Sequence, residues 1–395
     1  MRLLARLATA VLLTVTPVAA ASASAFASAP EPTPAPLLTS SNAIPESYIV
    51  TLDRTASPAR VAAAIGVKAK FTYRTALNGF AAKLTEKQLQ VARQTAGVQS
   101  VAQDALVTAP PVPASGVATK APSNSWGLDR IDQNFLPLDN EFSPNTNGQG
   151  VTAYILDSGI DFRHTEFGGR ARAGFDAIGD GRNGADCNGH GTHVAGTVGG
   201  ETFGVAHKVS LVSVRVLGCD GRGPWSGIIA GLEWVANHAQ QPAVLNASLG
   251  GDRFEPVNTA TNALFNRGVL PIVAAGNDNI DARRVSPAST PNAVTVGATN
   301  RFDQETDFSN WGEVLDLYAP GQDIISARMG GGSVSLSGTS MAAPHVAGVA
   351  ALYKAAHPTA TPTEVANFLK NGATEDVIQN LSDNGPDKLL FTNGL

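Results

Sequence analysis

The sequence predicts an α/β fold in which a mostly parallel β-sheet is covered by helices on both faces, preceded by a small α+β domain. From about residue 126 onward, apolar segments of strand length alternate with amphipathic segments of helix length, which is typical of a parallel sheet. Ahead of that point, a shorter segment shows its own β-α-β-β-α-β pattern, which predicts a ferredoxin-like domain. A length of 395 residues suits one small and one large domain.

The elements of the large domain follow from hydrophobic periodicity. Thr361 and Glu364 form the pattern of a capping box ahead of the last predicted helix, with proline at its first position. Asp157, Ser248 and Asn277 lie just past predicted strands, at the sheet edge where α/β proteins place their sites. The predicted strands are 151–156, 209–217, 243–247, 269–275 and 293–296, and the predicted helices are 225–238, 257–266, 340–356 and 363–369.

The small domain has an equally clear order of elements. Thr85 is a plausible N-cap for its second helix, and the pair Asn78-Gly79 predicts the turn of a hairpin within 71–84. The other predicted elements are strands at 48–52 and 98–102 and helices at 57–65 and 85–95.

The remaining segments flank these two domains. Arg2 and Arg6, an apolar run and small-residue Ala-x-Ala sites predict an export signal peptide. The apolar run is too short for a comfortable membrane span, and a retained N-terminal anchor is the alternative. The predicted boundaries are a signal peptide over 1–29, a Pro-rich linker over 30–43, the small domain over 44–108, a Pro/Ala/Ser/Gly-rich connector over 109–125 and the large domain over 126–395.

Net charge differs between the two parts of the chain. Residues 1–118 contain 10 Lys and Arg against 5 Asp and Glu, so +5, which leaves 18 against 28, or −10, for the rest. Opposite net charges favour association of the two parts. No basic stripe indicates nucleic-acid binding, and no later apolar run reaches the roughly 20 residues of a membrane span. A monomer without a membrane anchor after signal removal is expected.

Three short motifs carry the chemistry. Asp157 follows an apolar run, two histidines lie in Asn188-Gly189-His190-Gly191-Thr192-His193, and Ser340 opens a predicted helix. A serine that attacks, an imidazole that takes its proton and a carboxylate that orients the imidazole are the parts of a catalytic triad. The chain order Asp, His, Ser is that of subtilisin and differs from the order in chymotrypsin and in the α/β-hydrolases.

Each motif residue is assigned a role. Ser340 is the predicted nucleophile, because a helix start supplies oriented backbone N–H groups for an oxyanion. His193 is the predicted base, since the small residues that follow it would allow its helix to pack closely, and His190 is expected to pack nearby. Asn277 is predicted to donate its side-chain amide to the oxyanion.

Cys187 and Cys219 are the two cysteines of the chain. In an exported protein, such a pair is expected to form a disulfide, and closing its loop would contribute about 3–4 kcal/mol. Two alternatives stay open. Cys187, His190, His193 and Cys219 could instead form the zinc site of a metallohydrolase, or the chain could be a catalytically inactive binding module.

These motifs resemble the subtilisin-like serine protease (subtilase) family, particularly its proteinase K and aqualysin branch. The resemblance runs from Trp126 to the C-terminus and is carried by the following segments: Asp157-Ser158-Gly159, His190-Gly191-Thr192-His193, Asn246-Ala247-Ser248-Leu249-Gly250-Gly251, Ala274-Ala275-Gly276-Asn277 and Gly338-Thr339-Ser340-Met341. Residues 76–80 of the small domain resemble part of an inhibitory propeptide.

The resemblance implies a subtilisin-like three-layer fold and a secreted serine endopeptidase that forms an acyl-enzyme. It implies synthesis as a preproenzyme whose propeptide templates folding, blocks the cleft and is removed autocatalytically, at a point predicted between residues 108 and 122. Asp157, His193 and Ser340 would form the triad, with Asn277 in the oxyanion hole.

The resemblance also implies binding sites. Polypeptide substrate would lie extended between Gly221-Arg222-Gly223 and Ser248-Leu249-Gly250 and bind through main-chain hydrogen bonds. Structural Ca²⁺ would bind the carbonyls of Pro291 and Ala293 and the carboxylate of Asp316. A second calcium site, with solvated surface carboxylates as the alternative, would use Asp129, Asp132, Gln133 and Asp139. Ala274, Ala275 and Gly276 would line an uncharged pocket for an aromatic or large aliphatic residue before the scissile bond, and Trp225 would border a second apolar pocket.

Overall fold

A computed structural model describes residues 10, 12–13, 33–109, 125–382 and 384–395. The chain divides into Met1–Thr33 and a single compact unit, Pro34–Leu395. The predicted signal peptide over 1–29 and the predicted connector over 109–125 lie largely outside the described residues. Among the residues that are described, no helix is long and apolar enough to cross a bilayer.

The N-terminal part of the compact unit forms the predicted ferredoxin-like arrangement. Its sheet has the strand order β1-β5-β2-β4-β3, and all neighbours except the parallel pair β1–β5 are antiparallel. Val50 and Val101 pack against the two helices, whereas Ile49 and Ala102 face the large domain. The elements are β1 Leu37–Leu38, β2 Ala43–Leu52, α1 Pro58–Ile65, β3 Phe71–Tyr73, β4 Gly79–Lys83, α2 Glu86–Gln94 and β5 Val98–Thr108.

Two predictions for this part are corrected. The linker predicted over 30–43 is wrong in part, because Leu37–Leu38 pair with Val101 and Ala102 and thereby extend the sheet by one strand. The turn predicted at Asn78-Gly79 is also wrong, since Gly79 already pairs with Thr51 and Tyr73 inside β4. Asn78 instead donates its side-chain amide to the carbonyls of Asp53 and Ala56, which fixes the longer loop before β4.

The large part contains a nine-stranded sheet of order β18-β19-β15-β14-β12-β10-β6-β8-β7. Every neighbouring pair is parallel except β18–β19. Its elements are α3 Trp126–Ile131, β6 Thr152–Asp157, β7 Ala171–Asp176, α4 His190–Gly199, β8 Ser210–Arg215, β9 Arg222–Pro224, α5 Trp225–His238, β10 Ala243–Ala247, β11 Gly251–Asp252, α6 Glu255–Asn266, β12 Leu270–Ala274, β13 Val285–Ser286, β14 Val294–Thr299, β15 Leu317–Pro320, β16 Ile324–Ala327, β17 Ser333–Leu336, α7 Thr339–Ala356, α8 Pro362–Asn371, β18 Thr374–Glu375 and β19 Lys388–Leu389.

Apolar cores cover both faces of this sheet. Ala153 and Ile155 of β6 pack with α4, α7 and α8, whereas Tyr154 and Leu156 pack with α5 and α6. Because successive side chains of a strand point to opposite faces, this division produces three layers. The apolar cluster on the α5 side also includes Tyr73 and other residues of the small domain, which therefore packs on that layer.

Several strands of the large part were not predicted from the sequence. Strand β7 has half-exposed and exposed residues, and β16 and β17 form a short antiparallel hairpin outside the main sheet. These segments lack the continuous apolar runs that mark the buried strands. The hairpin nevertheless matters for the site, because α4 packs against it.

Helix α8 begins with the capping box expected from the sequence. The Thr361 hydroxyl accepts a hydrogen bond from the Glu364 backbone N–H at 3.3 Å, and the Glu364 carboxylate accepts one from the Thr361 backbone N–H at 2.7 Å. We expect Thr361→Ala to lower the free energy of unfolding by about 1 kcal/mol, because the first turn loses a cap. Thr359→Ala, at an exposed position two residues earlier, is the control. Denaturant unfolding measures both variants, and equal losses of unfolding free energy would contradict the assigned cap.

Candidate active site

Asp157 ends strand β6 at the carboxyl edge of the sheet. Its side chain is fully buried, and its Oδ1 accepts a hydrogen bond from the Ser158 backbone N–H at 2.7 Å. The strand lies between β8 and β10, so neighbouring strands end beside it. A carboxylate in this position is held rigidly and can orient a partner.

His190 is that partner. It is the first residue of α4, and its Nδ1 lies 2.9 Å and 3.0 Å from the two carboxylate oxygens of Asp157. Gly189, at the N-cap with φ +106°, supplies the backbone turn that brings the ring to the strand. A Cβ on Gly191 would clash with the Gly159 carbonyl oxygen, so the helix start approaches the strand closely. The Nε2 atom of His190 is buried without a hydrogen-bond partner within the described part of the chain.

The prediction that His193 is the base is therefore corrected. Its Nε2 lies 3.0 Å from the Ile324 carbonyl and 3.1 Å from the Val334 carbonyl, in the β16–β17 hairpin. The sequence analysis took His193 as the start of this helix, but α4 begins three residues earlier, at His190. His193 therefore lies about 4.5 Å further along the helix axis than His190. The helix-start signal Asn188-Gly189 directly before His190 could have identified the histidine that contacts Asp157.

Ser340 lies in the first turn of α7 and is 2% exposed. Its Oγ donates to the Ser248 carbonyl at 3.2 Å, and the Ser248 hydroxyl donates to the Ser340 carbonyl at 2.9 Å. Ser248 follows β10, the parallel neighbour of β6. Helices α4 and α7 pack against each other. The first turns of both helices therefore lie at the carboxyl edge of adjacent strands.

Asn277 follows β12 at the same edge. Its Oδ1 accepts hydrogen bonds from the Thr339 backbone N–H at 2.8 Å and from the Thr339 hydroxyl at 2.9 Å. These two donors assign the amide orientation. The Nδ2 donor is therefore left for the cleft in front of Ser340.

A cavity of about 290 Å³ lies in front of these groups. Its lining differs from the prediction at Ala275, which does not line it, because that methyl group packs in an apolar cluster with Ala282 and Leu315. Asp278 also lines the cavity, so its lining is not uncharged as expected, and this residue and Thr339 were missed by sequence analysis. The other lining residues include Ala109, Leu249, Gly250, Ala274, Gly276, Asn277 and Ser340.

The chain's own strand β5 enters this cleft. It pairs antiparallel with β9, with Val107 opposite Gly223 and Thr108 opposite Arg222. The Ala109 backbone N–H then donates to the Gly221 carbonyl at 2.8 Å. The backbone predicted to bind substrate thus pairs with an extended strand of the small domain.

Comparison with known proteins gives the family. The model of the subtilase family matches residues 148–393, which is more than half of the chain, and the model of peptidase inhibitor I9 matches residues 47–110. The chain belongs to the subtilase family.

The relatives of this subtilase are proteinases. It is similar to an extracellular serine proteinase of Thermus sp. (strain Rt41A), with 47% identity over 83% of this chain and 78% of that protein. Alkaline serine exoprotease A of Vibrio alginolyticus is 43% identical over 84% of this chain, which spans 62% of that protein. The crystal structure of a cold-adapted subtilisin-like serine proteinase matches with a TM-score of 0.67 and 48% identity, and covers 68% of this chain and 97% of that one. These findings confirm the subtilisin-like fold, a peptide-hydrolysing serine proteinase and an N-terminal I9 propeptide domain.

The I9 domain of the subtilase contacts the N-terminus of α5 through buried polar groups. The Asp104 carboxylate accepts hydrogen bonds from the Ser226 backbone N–H at 3.1 Å and from the Ser226 hydroxyl at 2.6 Å. The Tyr73 hydroxyl donates to the Ser226 carbonyl at 2.9 Å. Seven residues further along the same helix, the Glu233 carboxylate accepts the backbone N–H groups of residues 74–76 at 2.7–3.0 Å. A negative charge at a helix N-terminus is favourable, so Asp104 supports this docking.

Trp225 borders a second pocket, lined also by Val107, Gly251 and Val285. Its ring stacks on Phe254 with centroids 5.7 Å apart. Val107 of the I9 domain packs in the same apolar cluster. A propeptide side chain two residues before Ala109 therefore forms part of the wall of the second pocket.

The subtilase has the predicted disulfide between Cys187 and Cys219. These cysteines lie with Asp180 in the one group of potential metal ligands found among the described residues. The sulfurs are not thiolates, and the Asp180 carboxylate binds Arg215 at 2.6 Å. His190 and His193 have separate partners. Among the described residues, Cys187, His190, His193 and Cys219 therefore do not form the zinc site of the metallohydrolase alternative.

The predicted calcium ligands include one carboxylate. Asp316 Oδ2 accepts the Thr295 backbone N–H at 2.9 Å, and its Oδ1 lies 3.2 Å from Lys370 Nζ. Burial raises the pKa of Asp316. Carboxylate and carbonyl oxygens suit a hard cation, but the Lys370 ammonium competes for the same oxygen. At the second predicted site, Asp129 accepts the backbone N–H groups of Asp139 and Asn140. Asp132 there accepts the Ser143 N–H, and Gln133 Oε1 accepts the Asp139 N–H.

The two histidines of α4 differ in their acid–base behaviour. Burial alone would lower the pKa of His190, but the charge and hydrogen bond of Asp157, with the charge of Asp186, outweigh it and raise the pKa above 6.5. Burial, with the neighbouring charge of His190, lowers the pKa of His193 to about 3. His190 thus gains a proton readily, whereas His193 stays neutral.

We expect NMR titration of the precursor to separate these rings. The Cε1–H signal of His190 should titrate with a midpoint above pH 6.5, because its protonated form is stabilised by Asp157. That of His193 should not titrate above pH 4. Assignment by single His→Gln variants provides the control, and a His193 midpoint at or above that of His190 would contradict the assigned environments.

Proposed function

We propose that the chain is a secreted serine endopeptidase that cleaves polypeptides through Asp157, His190 and Ser340. The observation that carries the proposal is the bidentate approach of His190 Nδ1 to Asp157, with Ser340 at the carboxyl edge of the adjacent strand. Extracellular relatives support secretion. The predicted signal peptide over 1–29 would direct export.

The mechanism follows from the donors and acceptors. His190 donates its Nδ1–H to Asp157, so the buried Nε2 carries the lone pair and accepts the proton of Ser340 Oγ. Oγ then forms a bond to the substrate carbonyl carbon. Collapse of the tetrahedral species breaks the C–N bond, and His190 Nε2–H protonates the leaving amine. A water molecule then attacks the acyl-enzyme while His190 takes its proton, and collapse of the second tetrahedral species releases the carboxylic acid product and restores Ser340.

Charge that develops on the carbonyl oxygen needs fixed donors. Asn277 turns its Oδ1 to Thr339, which leaves the Nδ2–H group to donate. The Ser340 backbone N–H belongs to the first turn of α7, where amides have no helical partner. Together they form the proposed oxyanion hole, in which the loss of one donor typically costs about 10²–10³ in turnover.

Specificity is proposed to come from two pockets and a main-chain edge. Ala274 and Gly276 leave room for a large apolar side chain before the scissile bond, and Asp278 in the same lining also accommodates a positive charge. Substrate pairs with β9 as β5 does, which reads backbone and so favours broad specificity. Leu249 and Gly250, on the other wall, complete the groove.

The I9 domain is proposed to inhibit by occupying this groove. Strand β5 pairs with the β9 edge, Val107 lines the pocket at Trp225, and Ala109 lines the cavity beside Ser340. Cleavage beyond Ala109, within the predicted interval 108–122, would separate the domain. The proposed domains are 44–108 and 126–395. Strand β1 adds Leu37–Leu38 to the sheet of the first domain.

We expect Ser340→Ala and His190→Ala to leave an unprocessed precursor and to reduce casein hydrolysis about 10⁶-fold, since each removes a reacting group. His193→Gln is the matched control, because its Nε2 lies against the carbonyls of the β16–β17 hairpin. Mature N-terminal sequencing and a casein assay measure the outcome. A processed, fully active His190→Ala variant would overturn the proposed triad, as would activity that resists a fluorophosphonate but disappears with a zinc chelator.

Structural Ca²⁺ is proposed at the carbonyls of Pro291 and Ala293 with Asp316. The bound cation would tie the loop before β14 to the loop before β15 and so stabilise the fold without entering the reaction. We expect chelation to lower the melting temperature more than it lowers the initial rate at 25 °C. Lys370→Met should enlarge the calcium-dependent rise in melting temperature, because the competing ammonium is gone.

The control is Lys208→Met, which removes the same charge from an exposed ion pair with Glu201. Differential scanning calorimetry with and without calcium measures the shifts. Equal calcium responses of the two lysine variants and the wild type would contradict the proposed competition at Asp316.

A further inference from the structure

Asp186 is a buried carboxylate on the loop before α4 that no step of the mechanism uses. Its Oδ1 accepts hydrogen bonds from the Ser158 hydroxyl at 2.9 Å, from the Asn188 N–H at 2.9 Å and from the Gly189 N–H at 3.0 Å. Its Oδ2 accepts the Thr192 N–H at 2.9 Å and the Thr192 hydroxyl at 2.5 Å. Five donors therefore converge on one side chain.

These donors come from the two segments that carry the proposed base and its orienting carboxylate. Ser158 is the residue after Asp157, and Gly189 and Thr192 flank His190 on both sides. The network closes on itself, because the Ser158 hydroxyl also accepts the Gly191 N–H at 3.0 Å. The Thr192 hydroxyl likewise accepts the Asp161 N–H at 3.0 Å. Asp186 thus connects the end of β6 to the start of α4.

The charge of Asp186 has no ion-pair partner within the described part of the chain. A buried carboxylate without a counter-ion is costly unless hydrogen bonds replace its hydration, and here five do so. The charged groups that act on His190 are Asp157 on β6 and Asp186 on the loop, with His193 one turn along α4. Asp186 therefore contributes negative potential at the His190 ring, where an imidazolium would form during catalysis.

We propose that Asp186 is a positioning residue, whose carboxylate locks the Asp157 and His190 segments in register and whose charge stabilises protonated His190. The inference rests on the proposed role of His190. It predicts an effect on turnover and on the acid limb of the pH profile, with little effect on substrate binding, because Asp186 does not line the cleft.

The test is Asp186→Asn, which keeps the shape but removes the charge and turns one acceptor into a donor. We expect kcat to fall about 10²-fold, as for other small misplacements of catalytic groups, while KM changes less than twofold. The midpoint of the acid limb of kcat/KM should move to lower pH, because the protonated ring loses a stabilising charge. Asp180→Asn, which removes the same charge from the Arg215 ion pair, should leave kcat within twofold.

Ser158→Ala provides a second variant if Asp186→Asn fails to fold or mature. It removes one bond to Asp186 and keeps the charge, so kcat should fall by a smaller factor with the acid limb unmoved. The proposal would be overturned if Asp186→Asn and Ser158→Ala both kept the wild-type kcat and acid-limb midpoint. It would also be overturned if Asp180→Asn changed kcat and that midpoint as much as Asp186→Asn does. If His190→Ala is inactive while Asp186→Asn is unaffected, only this inference fails; if His190→Ala stays active, the proposed triad fails first.

Discussion

The contact between a strand end and a helix start is the constraint on which this site depends. Asp157 can reach His190 because the first turn of α4 approaches the Ser158-Gly159 corner without an intervening side chain. A close approach of two backbones buries their N–H and C=O groups away from water, and these groups must find partners within the protein. The Asp186 carboxylate and the Ser158 hydroxyl supply those partners. The catalytic geometry and the satisfaction of buried amides are therefore one structural problem.

The same backbone edge serves two purposes. Strand β9 lies outside the main sheet, and its pairing with β5 satisfies groups that would otherwise face the cleft. A strand edge binds any extended chain by its main-chain groups, so an inhibitor and a substrate can use it in turn. What distinguishes the I9 domain from a substrate is its additional docking on α5 through Asp104 and Tyr73.

Much of the fold could be predicted because burial on both faces of a parallel sheet leaves continuous apolar runs. Strand 243–247 and helix 225–238 were predicted with their observed bounds. The choice between His190 and His193 failed for a different reason: both lie on one short helix, and only the start signal Asn188-Gly189 distinguishes the turn that meets the distant strand. Asp278 and the inward packing of Ala275 were missed for a similar reason, since side-chain direction after a strand depends on the turn that follows.

If the I9 domain templates folding and is then removed, as the family resemblance implies, its interface has features suited to both steps. Tyr73 and Val107 join the apolar cluster that covers the α5 face of the sheet, so the small domain would shield part of that layer while the parallel strands assemble. Parallel pairing is intrinsically slow, because distant segments must meet before any contact stabilises them. The polar anchors, in contrast, are Asp104 and the Glu233 carboxylate, which water can solvate once the covalent link is cut. After cleavage, docking loses the advantage of high effective concentration, and release becomes possible without unfolding the peptidase.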